Sequence, residues 1–427
     1  MLDIHVIREN PAAIRENLAR RHVPEYLESF DQLVEDDTAY RRALQEVERL
    51  RGKRNTLSQE VAKAIDHPTQ KQALIQESKQ VGQLITQNQR IQDEVKERIN
   101  GILMRLPNVM MGDVPYGKDD SENVELRKNG KMRTFDFDVK HHAEIARNIG
   151  GVDFERAVKI AGTGFYALKG PLALLDLALQ RYALDTLIHA GFDPILPPLL
   201  LRREAYEGVT DLNEFDDQLY KIENEDLHLI ATSEHPLVAQ YMKETIPEDE
   251  LPIRLAGITP CFRREVGKHG LEERGLFRVH HFNKVEQVVI CGAEESKEWH
   301  EKLLANTETI FRGLEIPYRV MNVCTGDLGI VAAKKYDIEG YSPREKNYFE
   351  LASLSHCTTY QAVRLGIKKG FKDGRKEYVH TLNATAVATA RMIRAILENH
   401  QTQEGGLRVP KALHPYTLGV EEFPPIQ

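Results

Sequence analysis

The densest set of chemistry-bearing residues begins at Cys261-Phe262-Arg263-Arg264-Glu265-Val266-Gly267. It resumes at Arg274-Gly275-Leu276-Phe277-Arg278-Val279-His280-His281-Phe282-Asn283-Lys284-Val285-Glu286. This spacing predicts strand, turn and strand, with the glycine- and charge-rich stretch 266–275 as the turn. Alternate side chains of a strand share a face. Arg263 is therefore expected beside Glu265, and Arg278, His280, Phe282, Lys284 and Glu286 in one phase on the partner strand. Burying such a face without a charged ligand is costly. Arginines there can grip a phosphate bidentately and stabilise developing charge, and the phenyl ring can stack on a nucleobase. Taken alone, the stretch also reads as a surface ion-pair ladder around a half-buried phenylalanine.

Three smaller clusters follow the same logic. Thr232 and Glu234, after the apolar run ending at Ile230, can accept hydrogen bonds from an ammonium group; equally, they can cap a helix and make its first turn acidic. Glu350 and Ser353, with Glu350 expected to end a strand, offer the hard oxygen ligands that Mg²⁺ prefers. The small-residue run from Thr381 through Asn383 and Thr385 to Arg391 would let a ligand approach the backbone. It places an arginine near a helix N-terminus, a doubly positive site for a polyphosphate tail. Its bland alternative is an alanine-rich packed helix with an exposed arginine.

These residues need a scaffold, and the chain is long enough to build one. Its 427 residues, 41% hydrophobic and 29% charged, suit two or three domains with a sizeable core. No apolar run reaches 18 residues, which excludes a transmembrane helix. The opening Met1-Leu2-Asp3-Ile4-His5 carries early charge and no apolar h-region, so no secretory signal is expected. Cys261, Cys291, Cys324 and Cys357 form no C-x-x-C pair. Neither a disulfide framework nor structural zinc is expected, and a reducing cytosol is the default.

Residues 1–30 read as a short helical unit, with Asn10-Pro11 as N-cap and first helical position. From about residue 38 to 105, two apolar stripes predict an antiparallel helical hairpin broken at Asp66-His67-Pro68. The first holds Tyr40, Leu44, Val47, Leu50, Leu57 and Val61; the second holds Leu74, Val81, Leu84, Ile91, Val95, Ile99 and Ile102. The net charge of −8 argues against a nucleic-acid partner until it is divided. Ala39 to Arg105 carries 13 Lys or Arg against eight Asp or Glu, a balance of +5, leaving −13 elsewhere. Arg41, Arg42, Arg49, Arg51, Lys53 and Arg54 crowd the first helix, either as a solvated coiled-coil face or as a strip that neutralises phosphates.

Residues 108–160 read as connecting strands and loops. Beyond them a helix over Pro171–Ala190 precedes strand-like runs at 227–231, 253–262, 276–290, 318–323 and 348–351, and a closing helix over 388–400. Strands in succession with late helices indicate an α+β fold on an antiparallel sheet. Neither a G-x-x-x-x-G-K-S/T loop nor a strand-bound G-x-G-x-x-G is present, so a nucleotide would not use those loops.

Together the clusters resemble the seryl-tRNA synthetases, class II aminoacyl-tRNA synthetases, over nearly the whole chain. The opening M-L-D-I-x-x-I-R-E-N-P is similar to the family's start, and the hairpin to its tRNA-binding arm. Pro171–Pro198 resembles motif 1, used in dimer contacts; Arg263–Phe282 resembles motif 2; Asn383–Asn399 resembles motif 3; Val409–Tyr416 resembles the family's ending. The resemblance implies a tRNA-binding domain over residues 1–107 and a class II catalytic domain over 108–427. It implies serine activation with Mg·ATP, transfer to the 3′-terminal adenosine of tRNA(Ser), a cytoplasmic homodimer without a membrane partner, and tRNA(Sec) as a further candidate. One subunit's arm would serve the other's active site.

By the same resemblance, Arg263 would bind the ATP α-phosphate and the serine carboxylate, and Glu265 would contact adenine. Phe282 would stack under the adenine against Arg391, which would also hold the γ-phosphate, while Arg278 would grip the phosphate tail. Glu350 and Ser353 would position Mg²⁺. Thr232 and Glu234 would receive the serine ammonium, Glu286 and Thr385 its hydroxyl, and Asn383 belongs to the same serine site. Arg263, Glu286 and Arg391 are the expected catalytic residues, and Arg41, Arg42, Arg49, Arg51, Lys53 and Arg54 the tRNA contacts.

The chain departs from the family at Ser353-Leu354-Ser355-His356, at Val363-Arg364, and at Ala384 and Ala386 where glycines are usual. Those departures motivate an alternative, a synthetase-like tRNA-binding paralogue without aminoacylation. A third reading, a ligase charging a carrier protein, predicts a reduced arm, which this sequence does not show. The zinc-dependent branch is not expected.

Overall fold

The structure, a computed structural model, describes residues 1–64, 66–265 and 275–426, the side chains of 213 and 214 excepted. The 266–274 part of the expected turn lies outside the described residues. The chain divides into two compact units, Leu2–Pro107 and Asn108–Gln427 together with Met1.

The first unit is helical: α1 (Ile4–Glu9), α2 (Pro11–Ala19), α3 (Pro24–Lys63) and α4 (Pro68–Leu103). Asn10 caps α2, its side chain accepting from the Ala13 N–H, with Pro11 in the first turn. At 40 and 36 residues, α3 and α4 are about 60 and 54 Å long. The α3 helix starts well before residue 38. Asp36 and Asp37, just before the expected start, are buried mid-helix. Arg98 on α4 compensates Asp36 at 2.8 Å, and Arg8 on α1 compensates Asp37 at 2.6 Å.

The seam of α4 also differs from the apolar stripe. Ile85 turns inward, while Leu84 and Ile91 are 46% and 42% exposed. Val81, Ile85, Asn88, Gln92, Val95, Ile99 and Ile102 alternate spacings of four and three. Half-buried Asn88 and Gln92 therefore take seam positions, where Gln92 Nε2 meets the Tyr40 hydroxyl at 3.4 Å.

The second unit is built on an eight-stranded sheet: β1 (Val124–Asn129), β2 (Asp193–Ile195), β3 (Ile253–Phe262), β4 (His281–Cys291), β5 (Tyr318–Asn322), β6 (Lys334–Ser342), β7 (Asn347–Thr358) and β8 (His380–Ala388). Spatial order is β1-β5-β6-β7-β8-β4-β3-β2, and every pair is antiparallel except β2–β3. The helices that bear on the site are α5 (Gly170–His189), α6 (Glu234–Ala239), α7 (Ser296–Gly313), α8 (Tyr360–Leu365) and α9 (Thr389–Asn399).

Strand β4 explains how one sheet carries both a core and a site. Val285, Val289 and Cys291 face the large core shared with α5, α7 and α9. Val288 and Ile290 face the other way, packing with Leu237 and Val238 of α6 and Ala362 and Leu365 of α8. Phe282, Lys284 and Glu286 share that second face; Phe282 and Lys284 line a cleft, and Glu286 is buried beside them. The period-two pleat thus turns two consecutive even positions to the cleft and sets a third behind them.

Several expected boundaries move. Strand β3 ends at Phe262 and β4 begins at His281, so Arg263, Glu265, Arg278 and His280 lie off the strands. Glu265 adopts a left-handed φ of 46°, which breaks the alternation expected with Arg263. Glu350 is the fourth residue of the twelve-residue β7, not a strand end, and the run through Asn383 and Thr385 is strand β8.

The distal arm supplies a test. Leu50, Leu57, Val81 and Ile85 form one small cluster. Leu57→Ala should weaken it by about 2–3 kcal/mol and accelerate amide exchange nearby by roughly 30- to 150-fold. Exchange in β4 and β8 should not change. Equal acceleration in the sheet would contradict a locally held arm.

Candidate active site

A cleft of about 570 Å³, including the open space at its mouth, lies over the β7–β8–β4 part of the sheet. It is lined by Arg263, Glu265, Phe282, Glu350, Ser353, Thr385 and Arg391, all expected from the sequence. Phe277, Val279, Lys284 and Leu351 line it too, without having been assigned a role.

Each side chain is placed by local structure. Arg263 follows β3, its N–H donating to the His280 carbonyl at 2.9 Å and its Nε to the Ala231 carbonyl at 3.2 Å. Its guanidinium lies 5.4 Å from the Phe282 ring centre. The loop it grips is fixed from behind: the Ala231 N–H donates to the Tyr206 hydroxyl, which donates to the Leu229 carbonyl, both at 3.0 Å. Small residues on β3, Gly257 and Thr259, stand opposite Glu286 and Lys284. At Gly257 a Cβ would approach Leu237 to 2.7 Å, so glycine there admits α6.

Two bulges set the remaining phases. In β7 the register shifts between Glu350 and Ala352, which turns Glu350 and Ser353, three positions apart, to the same cleft. In β8 it shifts between Thr385 and Val387, after Thr385 has been set opposite Glu286. Arg391, in the first turn of α9, donates to the Glu350 carbonyl and pairs with its carboxylate, both at 3.2 Å. It lies 5.2 Å from the ring centre of Phe277. Arg278 reaches Glu265 at 3.5 Å. Ser353 donates to Asp337, which Lys335 also pairs at 3.0 Å.

Deeper in, Lys284 Nζ donates to Thr232 Oγ1 at 3.0 Å and pairs with Glu286. Thr385 Oγ1 donates to the same Glu286 oxygen, Oε2, at 3.5 Å. Thr232 also accepts from the Glu234 N–H at 3.3 Å, so its capping-type bond and its place in the site coexist. Asn383 is buried and donates to Cys357 Sγ at 3.7 Å, set back from the cleft lining. The alternation of charge from 282 to 286 was the available signal for Lys284; nothing in the local sequence marks Phe277 or Asp337.

Electrostatics follow from crowding. Desolvation pushes the Glu234 carboxyl up to about 7, the Glu286 charge adding to it and Gln361, Lys284 and Arg263 opposing. Desolvation likewise raises Glu286, with Lys284 the main opposing charge. At Glu350 desolvation is outweighed by Arg391, Lys335, Arg263 and Lys284, which hold the carboxyl near 2. A cleft with separated cations, paired carboxylates and an aromatic wall can hold a zwitterion beside a phosphate chain.

The basic arm residues are all exposed. Arg41, Arg49 and Lys53 have carboxylate partners at Asp37, Glu46 and Glu77, at 3.0, 2.7 and 2.7 Å.

Comparison with known proteins decides the family. Residues 1–110 match the seryl-tRNA synthetase N-terminal domain, and residues 218–400 the tRNA synthetase class II core domain (G, H, P, S and T). A curated serine–tRNA ligase from Methanospirillum hungatei is 50% identical over 425 residues, 99% of this chain and 100% of that protein. The chain belongs to the seryl-tRNA synthetase family. Among solved seryl-tRNA synthetases, that of Pyrococcus horikoshii, complexed with ATP, is 43% identical with a TM-score of 0.97, covering 100% of both chains. The cytoplasmic serine–tRNA ligase of Naegleria fowleri, in complex with AMP, is 33% identical with a TM-score of 0.91, covering 100% of this chain and 99% of that one.

Within this seryl-tRNA synthetase fold, the departures from the family pattern avoid the cleft lining. Leu354, Ala384 and Ala386 are fully buried in the helix-covered core. His356 is buried between His300 and His380, with ring centres at 5.8 and 5.5 Å. Arg364 donates to the Glu207 and Thr210 carbonyls and to the Tyr360 hydroxyl.

Glu234 gives a signed test. A carboxyl raised from its ordinary range keeps its proton in the folded state where the unfolded chain has lost it. Stability therefore falls as pH rises from about 4.5 through about 7. Glu234→Gln should gain on the wild type by about 1–2 kcal/mol between pH 5 and pH 8 in paired thermal unfolding curves. No relative gain between those pH values would place the carboxyl in its ordinary range.

Proposed function

We propose that this chain is a serine–tRNA ligase: it activates serine with ATP and transfers the seryl group to the 3′-terminal adenosine of tRNA(Ser). What carries this reading is the gathering of Arg263, Glu265, Phe282, Glu350, Ser353, Thr385 and Arg391 around one cleft, in a chain that matches the family over its N-terminal and core regions. The alternative without aminoacylation gains nothing from Leu354, His356, Ala384 or Ala386, which lie away from the cleft lining.

In this account Arg263 pairs with the serine carboxylate and the ATP α-phosphate, bringing nucleophile and electrophile together. The carboxylate attacks the α-phosphorus, pyrophosphate leaves, and seryl-adenylate forms. The tRNA 3′-hydroxyl then attacks the acyl carbon and AMP leaves. No protein nucleophile is needed, so the side chains act by position and charge. The adenine stacks on Phe282 beneath Arg391 and meets Glu265, while Arg278 and Arg391 hold the phosphate tail.

Thr232 and Glu234 accept the serine ammonium. Glu286 and Thr385 read its hydroxyl, with buried Asn383 behind them. A site that bonds a substrate hydroxyl leaves polar groups unpaired when alanine enters, and so rejects it. Glu350 and Ser353 present hard oxygen donors on one wall, which fits Mg²⁺. Among the described residues no group of three His, Cys, Asp or Glu is arranged to hold a metal. Phosphate and water oxygens would therefore complete the coordination. The ion would neutralise phosphate charge.

The proposal extends to a homodimer, since Leu177, Ile188 and Leu196 in the motif 1 region are 64%, 40% and 81% exposed. The domain assignment is a tRNA-binding unit over 1–107 and a catalytic unit over 108–427. No described helix is long and apolar enough to cross a membrane. A cytoplasmic location accords with tRNA charging, and tRNA(Sec) is a further candidate substrate.

ATP–pyrophosphate exchange across a panel of amino acids should show dependence on serine, lost by at least 100-fold in Arg263→Ala. Exchange without serine dependence, or near-normal exchange in the variant, would overturn the assignment. Replacing Arg41, Arg42, Arg49 and Arg51 with glutamine should spare exchange but weaken tRNA charging. The salt slope of tRNA binding should fall by about three to four. Equal losses in exchange and charging would contradict the arm's role.

A further inference from the structure

We propose that Gln361 is a positioning residue that orients Glu234 as the acceptor for the substrate's ammonium group. This rests on reading the cleft as a serine site and deepens it. Gln361, on α8, is fully buried, and each end of its amide has assigned partners. Its Nε2 donates to the Val209 carbonyl at 2.9 Å and to Glu234 Oε1 at 2.8 Å. Its Oε1 accepts from Thr381 Oγ1 at 2.6 Å.

The Val209 carbonyl can only accept, so the nitrogen end must face it. The Thr381 hydroxyl occupies the oxygen end. A flip of the amide would oppose two acceptors at Val209 and two more at Glu234, leaving buried groups unmatched. Gln361 is thus a donor of fixed direction. It holds one carboxylate oxygen of Glu234 and leaves the other for a ligand.

The arrangement has a chemical consequence. A donor aimed at a carboxylate favours its charged form, and an ammonium acceptor must be charged. The other groups acting on Glu234 are Glu286 and Cys357, which oppose that charge when ionised, and Lys284 and Arg263, which favour it. His235 beside it is kept neutral chiefly by burial. Gln361 is the direct neutral donor in this set, and Thr381 on β8 is what points it.

The test is the pH profile of serine-dependent ATP–pyrophosphate exchange by the full-length protein. Gln361→Met keeps the volume and removes the donor. At pH 7 it should raise the serine KM about tenfold while kcat stays within about twofold. The excess should shrink to about threefold by pH 8.5, where Glu234 ionises unaided. Thr381→Val keeps Gln361 but frees its amide, and should shift KM the same way by about threefold. If the methionine variant does not fold, the valine variant decides the matter. An unchanged serine KM in the folded variants would overturn the proposal. So would a loss of kcat and KM together at every pH, the mark of a merely structural role. Absence of serine-dependent exchange in the wild type would defeat the serine assignment itself.

Discussion

Charges that cannot be buried singly dominate one face of this sheet. Lys284 and Glu286 stand two residues apart on β4, both nearly closed to solvent, and each makes the other tolerable. An isolated ion there would be neutralised or expelled. The pair draws in Thr232 and Thr385, and its field reaches Glu234 and Arg263. Much of the second unit can be understood as the scaffold this set requires. Tyr206 fixes the loop that carries Thr232, Gly257 admits α6, and Gln361 satisfies Glu234. The set is compensated internally, yet it keeps cationic and anionic ends separate. That separation is what a zwitterionic substrate beside a phosphate chain demands.

The sheet resolves a conflict between stability and function by phase and by bulge. Odd positions of β4 enter the main core. Even positions pack under α6 and α8 at one end and line the cleft at the other. The bulge in β7 breaks period two and lets Glu350 and Ser353 face the same cleft. A regular strand would have turned one of them into the core, burying a carboxylate or removing a hydroxyl from the cleft. Arg391 ties that wall to the start of α9, so this side of the cleft is braced by a helix terminus.

Much of this was legible in the sequence because it depends on short-range spacing. The 253–262 strand, the Asn10–Pro11 cap, the hairpin break at Pro68 and the phase of Phe282, Lys284 and Glu286 all follow from local chemistry. What was not legible depends on contacts distant in sequence. The helix expected from about residue 38 runs on through Asp36 and Asp37 because Arg98 and Arg8 arrive from other helices. Leu84 and Ile91 look like seam residues until Asn88 and Gln92 take those positions. Glu350 and Ser353 share a cleft through a bulge that no local pattern marks. Gln361 carries no motif of its own; its meaning comes from Val209, Thr381 and Glu234, which three other elements supply.

The central claim is that one cleft holds serine and nucleotide together in a defined direction, serine toward Glu286 and adenine toward Phe282. A crystal structure with a non-hydrolysable seryl-adenylate analogue tests this most directly. The account predicts the phosphate mimic within hydrogen-bonding distance of Arg263, the adenine between Phe282 and Arg391, and the seryl hydroxyl on Glu286. An analogue bound outside this cleft, or bound in reverse with its seryl end at Phe282, would contradict it.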